Sequence, residues 1–180
     1  THISIVDKHG NAVALTSSIE FAFGSGTTVG GFFLNNQLTD FSFLNKDIKG
    51  KIVANAVYPG KKPRSSMAPT IIFEKNQLLG VIGSPGGSRI ICYVAKTIYE
   101  ILYLNTAPAE AIKKPHICSR SQYSEIEKHD NNTELIKKLK SMGHNIKIKE
   151  MTSGLNIIWK KGDAWLGIAD NRREGYAFGN

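Results

Sequence analysis

The pattern of apolar and polar residues predicts a β-hairpin at the start of the chain. Two apolar-rich segments, residues 2–8 and 11–17, are joined by His9-Gly10-Asn11. Glycine and asparagine adopt the left-handed backbone of a tight turn, and this favours an antiparallel pair of strands. Thr1 then begins a strand, so a sheet fixes its backbone direction.

Further along the chain, strands and helices alternate in blocks. Short apolar runs predict strands at 32–34, 70–74, 78–83, 123–127, 145–150, 155–160 and 164–169. Helices are expected at 89–104, after Thr106 with Pro108 near the first position, and at 132–142 before Gly143. Residues 42–62 are expected to form a loop. This order predicts an α+β domain with antiparallel sheet layers packed against helices, and disfavours a doubly wound parallel fold.

Length and charge narrow the functional class. The chain has 180 residues, which is enough for one domain with a sizeable core, and no apolar run reaches the length of a membrane span. The formal charge of +8 leaves a basic binding module open. The lysines are nevertheless scattered over turns and helix faces without interleaved aromatics, so we expect no nucleic acid as a partner.

The cysteines and histidines form no motif that binds a metal or carries redox chemistry. Cys92 lies in the apolar segment 90–104 and fits a small core residue, and a disulfide with Cys118 is left open. The five histidines lack the spacing of metal ligands. We therefore expect neither a metal nor a cofactor.

An N-terminal threonine can carry its own general base. An α-amino group has a reference pKa of about 7.7–8.0, so a useful fraction is neutral near pH 7. On the same residue as a hydroxyl, this amine can take the hydroxyl proton directly or through one water. Thr1 is therefore a candidate nucleophile, although an exposed terminal threonine is more often inert.

Three other patches carry candidate chemistry. Gly86-Gly87 lies between a predicted strand and a predicted helix, where backbone N–H groups could face an oxyanion or a carboxylate. Ser65-Ser66 presents two hydroxyls in a loop between prolines. Glu20 and Asp40 are acids beside glycine or asparagine turns and could hold an ammonium group. Each also fits an ordinary turn or loop.

Taken together, these patches resemble the small subunit of γ-glutamyltranspeptidase, an N-terminal nucleophile hydrolase. The likeness covers residues 1 to about 114 and returns near Met142 and Ile168. The matching blocks are Val6-Asp7-Lys8 through Val13, Phe23-Gly24-Ser25-Gly26, Leu34-Asn35-Asn36-Gln37 with Asp40-Phe41-Ser42, Ser65-Ser66-Met67-Ala68-Pro69-Thr70, and Gly83 through Ile90.

The resemblance implies a fold, a partner and a reaction. The fold would be an αββα sandwich completed by a larger subunit from the same self-cleaved precursor, with residues 1–180 as its C-terminal catalytic domain. The enzyme would cleave γ-glutamyl amides such as glutathione through a γ-glutamyl-threonine ester, which water or an acceptor amine resolves. The family further implies a periplasmic or extracellular location.

The resemblance also implies residue roles. Thr1 would be nucleophile and base, and Ser18 would hydrogen-bond the nucleophile. Gly86 and Gly87 would supply the oxyanion-hole N–H groups. The glutamyl head would be held by Ser65 and Ser66 at its α-carboxylate and by Glu20, Gln37 and Asp40 at its α-ammonium. An arginine that completes the carboxylate site in the family belongs to the large subunit.

Departures from the family pattern leave alternatives open. The family usually begins Thr-x-His-x-Ser, whereas this chain reads Thr1-His2-Ile3-Ser4. Either Thr1 is the nucleophile, or it matches the second residue of the family.

Other positions also depart from the family pattern. Ser18 replaces a threonine and Glu20 an asparagine found in many members. The loop 42–62 is short, which would open the pocket to larger donors. The alternatives are therefore a poly-γ-glutamate depolymerase, a cephalosporin acylase-like hydrolase and a non-catalytic basic module.

Overall fold

The computed structural model describes residues 1–179, without the side chain of Asn131. The strands are β1 His2–Val6, β2 Ala12–Thr16, β3 Thr28–Val29, β4 Phe32–Phe33, β5 Thr70–Glu74, β6 Gln77–Gly83, β7 Ile117–Ser119, β8 Ser124–Glu127, β9 Ile146–Lys149, β10 Asn156–Lys161 and β11 Ala164–Ala169. The α-helices are α1 Ile90–Leu102, α2 Pro108–Ala111 and α3 Thr133–Ser141. Short 3-10 turns cover Gln37–Asp40, Gly87–Arg89 and Asp130–Asn132.

The chain divides into two compact units, and the larger one comprises Thr1–Thr16 and Met67–Asn180. Its main sheet is antiparallel with the strand order β11-β10-β6-β5. The predicted hairpin of β1 and β2 is confirmed, and it lies against β6 and β10. The predicted class, α+β with antiparallel sheets, is therefore confirmed.

Helix α1 covers the sheet with one apolar face. Tyr93, Val94 and Ile101 are buried against sheet residues such as Ile82 and Ile157. Apolar residues recur along this face at the three- and four-residue spacing of a helix. The helix follows directly on the turn Gly87–Arg89, so its packing determines where that turn lies.

A second, three-stranded sheet has the order β7-β8-β9, and its last pair is parallel. The sequence predicted only antiparallel layers, so this pair is a departure from that expectation. The reason is connectivity: α3 lies between β8 and β9 and carries the chain back to the start of the sheet, as parallel pairing requires. Strand β7, only three residues long, was not predicted.

A disulfide joins helix α1 to the second sheet. Cys92 of α1 bonds to Cys118 of β7, with a Cα–Cα distance of 5.4 Å. Cys92 is therefore not simply a small core residue, and the disulfide that the sequence left open is formed.

The smaller unit comprises Ser17–Ser66. It contains the two-stranded sheet of β3 and β4 and the turn Gln37–Asp40. Phe41 and Ala56 are its buried apolar residues. The expected loop over residues 42–62 is confirmed, because turns and bends with one isolated bridge between Lys46 and Ile52 make up this segment.

No helix within residues 1–179 is long and apolar enough to cross a membrane.

Candidate active site

Side-chain hydrogen bonds hold strand β1 in position beside Thr1. The imidazole of buried His2 shares hydrogen bonds with Thr16 Oγ1 at 2.8 Å and Ser4 Oγ at 3.1 Å. The Ser4 hydroxyl donates to the carbonyl of Asn156 at 3.2 Å. These contacts connect β1 to β2 and β10, so the backbone next to Thr1 has a defined direction.

A cleft of about 210 Å³ opens beside Thr1. Charged groups of both signs line it, including the guanidinium of Arg173 and the carboxyl groups of Asp170 and Glu174. The cleft can therefore receive a polar molecule. The complete lining, all from the larger unit, is Thr1, His2, Pro85, Gly154, Leu155, Asn156, Asp170, Arg173, Glu174 and Gly175.

The surroundings of Thr1 make its amine easier to deprotonate. Burial disfavours the charged ammonium and lowers the pKa of the α-amino group, and the positive charge of Arg173 lowers it further. An amine with a lowered pKa is neutral in a larger fraction of molecules near pH 7. Such an amine can accept the proton of a hydroxyl group.

Gly86 and Gly87 form the turn between β6 and α1 that the sequence predicted. Their φ angles are 140° and 59°, a backbone conformation that favours glycine. A Cβ on Gly86 would lie 2.5 Å from Cε2 of Tyr93, so this position also has no room for a side chain. The turn precedes a 13-residue helix, whose N-terminus favours negative charge.

The hydroxyl of Ser84 connects this turn with the cleft. Ser84 is fully buried, and its Oγ donates to the carbonyl of Pro85 at 2.6 Å. The same oxygen accepts the N–H of Gly154 at 3.1 Å. Pro85 and Gly154 both line the cleft, so the Ser84 side chain holds two of the lining residues in position.

In the smaller unit, Glu20 has a strained backbone and a buried carboxyl oxygen. Its φ angle is 73°, which is uncommon for a residue with a side chain. Its N–H donates to Ser18 Oγ at 2.8 Å. Among the described residues, the buried Oε2 of Glu20 has no hydrogen-bond partner. Strain of this kind clusters at functional sites, and a buried acceptor oxygen suits a cationic ligand.

Gln37 and Asp40 lie in one 3-10 turn, and the side-chain amide of Gln37 donates to Asp40 Oδ2. Asn36 joins this turn to the segment around Glu20. It donates its N–H to the carbonyl of Ile19 at 3.2 Å, and its Oδ1 accepts the N–H of Phe21 at 3.0 Å. The structure therefore brings the segment of Glu20 together with Gln37 and Asp40.

Asn55 connects this turn with the serine loop. Its amide donates to the carbonyl of Asp40 at 2.7 Å, and its Oδ1 accepts the N–H of Arg64 at 3.0 Å. Ser65 and Ser66 follow Arg64 directly. Sequence reasoning missed the roles of Asn36 and Asn55, although Asn36 belongs to one of the blocks that carried the resemblance.

Comparison with known proteins gives the decisive observation. Residues 1–180 match the Gamma-glutamyltranspeptidase family. The chain belongs to this family. The blocks that suggested the resemblance are thus part of a match that covers the whole chain.

Individual family members agree with this result. The glutathione hydrolase proenzyme of Bacillus subtilis (strain 168) is 37% identical over 186 residues, covering 99% of this chain, and that of Escherichia coli (strain K12) is 36% identical over 180 residues, covering 96%. This chain spans about 30% of the length of these curated relatives. A solved structure of a mutant Helicobacter pylori gamma-glutamyltranspeptidase has a TM-score of 0.86 at 34% identity and covers 96% of this chain and 100% of that chain.

Proposed function

We propose that this chain is the small catalytic subunit of a γ-glutamyl transferase or hydrolase, produced by self-cleavage of a precursor, that acts on γ-glutamyl amides such as glutathione. The observation that carries the proposal is the family match over residues 1–180. The glycine turn and the cleft at Thr1 support it from the structure of the larger unit.

The proposed reaction begins at Thr1. The neutral α-amine takes the hydroxyl proton while Oγ1 attacks the γ-carbonyl carbon of the donor. The N–H groups of Gly86 and Gly87 stabilise the negative oxygen of the tetrahedral intermediate. The C–N bond then breaks, the leaving amine takes the proton, and a γ-glutamyl ester of Thr1 remains. Water or an acceptor amine attacks this ester and restores the hydroxyl.

In this proposal the donor's zwitterionic head is bound by the smaller unit. Ser65 and Ser66 donate hydroxyls to the α-carboxylate, and Glu20, Gln37 and Asp40 accept from the α-ammonium. The hydrogen bond between Gln37 and Asp40 and the buried oxygen of Glu20 support the second assignment. Ser18 would donate to the nucleophile while its oxygen continues to accept the N–H of Glu20.

A larger subunit is the proposed partner and would complete an αββα sandwich. The outer face of the β1–β2 hairpin supports this, because Ile3, Ile5, Val13 and Leu15 are each about half exposed. Apolar sheet faces of this kind are normally covered in a folded assembly. The disulfide supports a periplasmic or extracellular location, since disulfides persist in oxidising compartments.

Two assignments of the nucleophile make different predictions for the processed subunit. In the first, Thr1 is both nucleophile and N-terminus of the processed subunit. In the second, the residue encoded before Thr1 has this role, and Thr1 is the second residue of the strand. Because side chains alternate across a strand, the two residues would face opposite sides. N-terminal sequencing of the processed subunit identifies which residue is first.

The test of the function uses the complete encoded protein and a γ-glutamyl-anilide donor. Wild-type protein should release the aniline, and a glutamine-analogue inhibitor should label the peptide that contains Thr1. Thr1→Ala should abolish both, whereas Thr1→Ser should retain labelling. Gel analysis of processing is run alongside, so that a failure of self-cleavage is recognised.

Full activity in a processed Thr1→Ala protein would refute Thr1 as the nucleophile. The same preparation is also given poly-γ-glutamate and an acyl β-lactam, and a preference for either would favour the corresponding alternative. No turnover or labelling, together with salt-dependent binding of DNA, would instead indicate a basic binding module.

A further inference from the structure

A partly buried ion pair attaches the turn Gly87–Arg89 to strand β8. Arg89, the last residue of this turn, donates from Nε to Glu125 Oε2 at 2.7 Å and from Nη2 to Glu125 Oε1 at 2.9 Å. The Glu125 side chain is only 4% exposed. A two-point hydrogen bond between guanidinium and carboxylate fixes both the distance and the orientation of the two groups.

Arg120 attaches the same turn at a second point. Its Nε donates to Glu125 Oε2 at 3.2 Å, and its Nη2 donates to Ser88 Oγ at 3.0 Å. The hydrogen bond from Arg89 is the largest cause that lowers the pKa of Glu125, to about 2, and Arg120 lowers it further. The carboxylate therefore remains ionised at neutral pH and holds both guanidinium groups.

The Cys92–Cys118 disulfide also connects the start of α1 to the second sheet. Cys92 lies in the first turn of α1, shortly after Arg89, and Cys118 is the direct cross-strand partner of Glu125. The ion pair and the disulfide thus connect one end of α1 to one cross-strand pair of β7 and β8. Two attachments at one point resist both sliding and rotation of the helix end.

We propose that Glu125, Arg120 and the Cys92–Cys118 disulfide are positioning groups that hold the Gly86–Gly87 turn in its catalytic geometry. The inference rests on the proposed function, in which this turn supplies the oxyanion hole. Oxyanion donors act only when they point at the developing charge, so a small displacement of the turn lowers kcat. The three groups touch no reacting atom and act through Ser88, Arg89 and α1.

The disulfide makes this attachment sensitive to reduction. A dithiol transfers two electrons and two protons to the disulfide, which becomes two cysteine thiols, and the reductant closes to its own cyclic disulfide. The ion pair remains, so the turn is loosened rather than released. Reduction should therefore lower kcat without unfolding the protein.

The first test is Glu125→Gln in the complete encoded protein, with Glu100→Gln as matched control. Glu100 also forms an ion pair, with Lys114 at 2.6 Å, but near the other end of α1. Glu125→Gln should lower kcat by up to about a hundredfold, the loss that a misplacement of about 1 Å can cause. KM should stay unchanged, because the glutamyl head is bound elsewhere, and the control should retain wild-type kcat.

Hydrogen exchange of the peptide spanning residues 84–94 supplies a measure that does not depend on activity. Exchange should be faster in Glu125→Gln than in wild type and unchanged in Glu100→Gln. Unchanged exchange and unchanged kcat in a folded Glu125→Gln protein would overturn the proposal. If exchange is faster in Glu125→Gln but the wild-type protein cleaves no γ-glutamyl donor, the attachment of the turn is supported and the proposed function is refuted.

The second test keeps the inference falsifiable if Glu125→Gln does not fold. The double variant Cys92→Ser/Cys118→Ser should show the same loss of kcat at constant KM. Dithiothreitol should reproduce this loss in the wild type and have no effect on the double variant. Thiol titration is used to verify that the disulfide of the wild-type protein is completely reduced. If this reduced protein keeps its kcat, the proposed role of the disulfide is overturned.

Discussion

At the scale of single residues, His116 is a titratable group inside the core. It is fully buried and packs against Tyr93, with ring centroids 4.4 Å apart and the ring planes tilted by 44°. Its Nε2 shares a hydrogen bond with Ser153 Oγ at 2.9 Å. The Ser153 hydroxyl in turn donates to Asp170, which lines the cleft at Thr1. A neutral His116 therefore belongs to the chain of contacts that supports the cleft.

This burial predicts loss of stability in acid. Burial, followed by the charges of Arg172 and Lys96, lowers the pKa of His116 to about 3 from its ordinary 6.5. Between these values the unfolded chain binds more protons, so the free energy of unfolding falls as the pH decreases from about 6.5 towards 3. One such proton corresponds to about 1.4 kcal/mol per pH unit at most. Urea unfolding at a series of pH values measures this slope.

His116→Gln should make the slope shallower, because the variant loses the titrating group. Buried His2, whose pKa is lowered to about 4 mainly by burial, should maintain a residual slope. His9→Gln, on the exposed hairpin turn, is the matched control and should follow the wild-type curve. Parallel curves for wild type and His116→Gln would contradict the prediction.

The residues of the candidate site divide into those that local sequence identified and those that it could not. Gly86 and Gly87 were recognisable because a strand, two glycines and a helix form a local pattern. Asn36 and Asn55 were not, since their function is to bridge backbone groups that are distant in sequence. Glu125 was missed for the same reason, because its partner Arg89 is known only after β8 and α1 pack together.

At the scale of secondary-structure elements, the approach of β1 to β6 depends on a glycine. The imidazole of His2 lies over Gly83, and a Cβ at this position would be 2.2 Å from Cε1 of the ring. No real Cβ makes so short a contact. The bare backbone of Gly83 is therefore what allows the hairpin to pack on the sheet beside Thr1.

Gly83→Ala should separate these strands and destabilise the protein. Overpacking of this kind costs about 1–3 kcal/mol, and in a protein of this size each kcal/mol lowers Tm by about 2–4 °C. Differential scanning calorimetry measures the shift. Gly179→Ala, where an added Cβ would meet nothing within 4 Å, is the control and should leave Tm unchanged.

A double-mutant cycle tests the assigned cause. With His2→Ala in the background, Gly83→Ala should cost much less, because the clashing ring is gone. Additive effects of the two substitutions would show that the clash with His2 is not the reason.

The elements themselves were largely predictable, whereas their pairing was not. The hairpin of β1 and β2 and the helices α1 and α3 follow from turn residues and helical spacing, which are local properties. The parallel pairing of β8 with β9 depends on how α3 packs, and the Cys92–Cys118 disulfide depends on α1 meeting β7. A pattern along the chain holds no direct information about such contacts.

At the scale of the whole molecule, the larger unit presents an apolar surface. On the β1–β2 hairpin, Ile3 is paired with Leu15 and Ile5 with Val13, and all four side chains are 47–51% exposed. On the inner side of the same hairpin, His2 is buried and Ser4 is half-buried. The curated relatives are roughly three times as long as this chain. In the proposed assembly, the large subunit covers the outer face of the hairpin.

A charge in this surface should therefore prevent assembly with the proposed large subunit. In Ile5→Lys, an ammonium group would be buried against apolar side chains without a counter-ion, which is strongly unfavourable. Ile148→Lys is the matched control, because Ile148 is a comparable 55% exposed but lies on β9. With an affinity tag on the large subunit, wild type and Ile148→Lys should co-purify the small subunit after processing, and Ile5→Lys should not. Equal recovery from a processed Ile5→Lys protein would mean that this face is not the interface, and that the large subunit binds elsewhere on the chain.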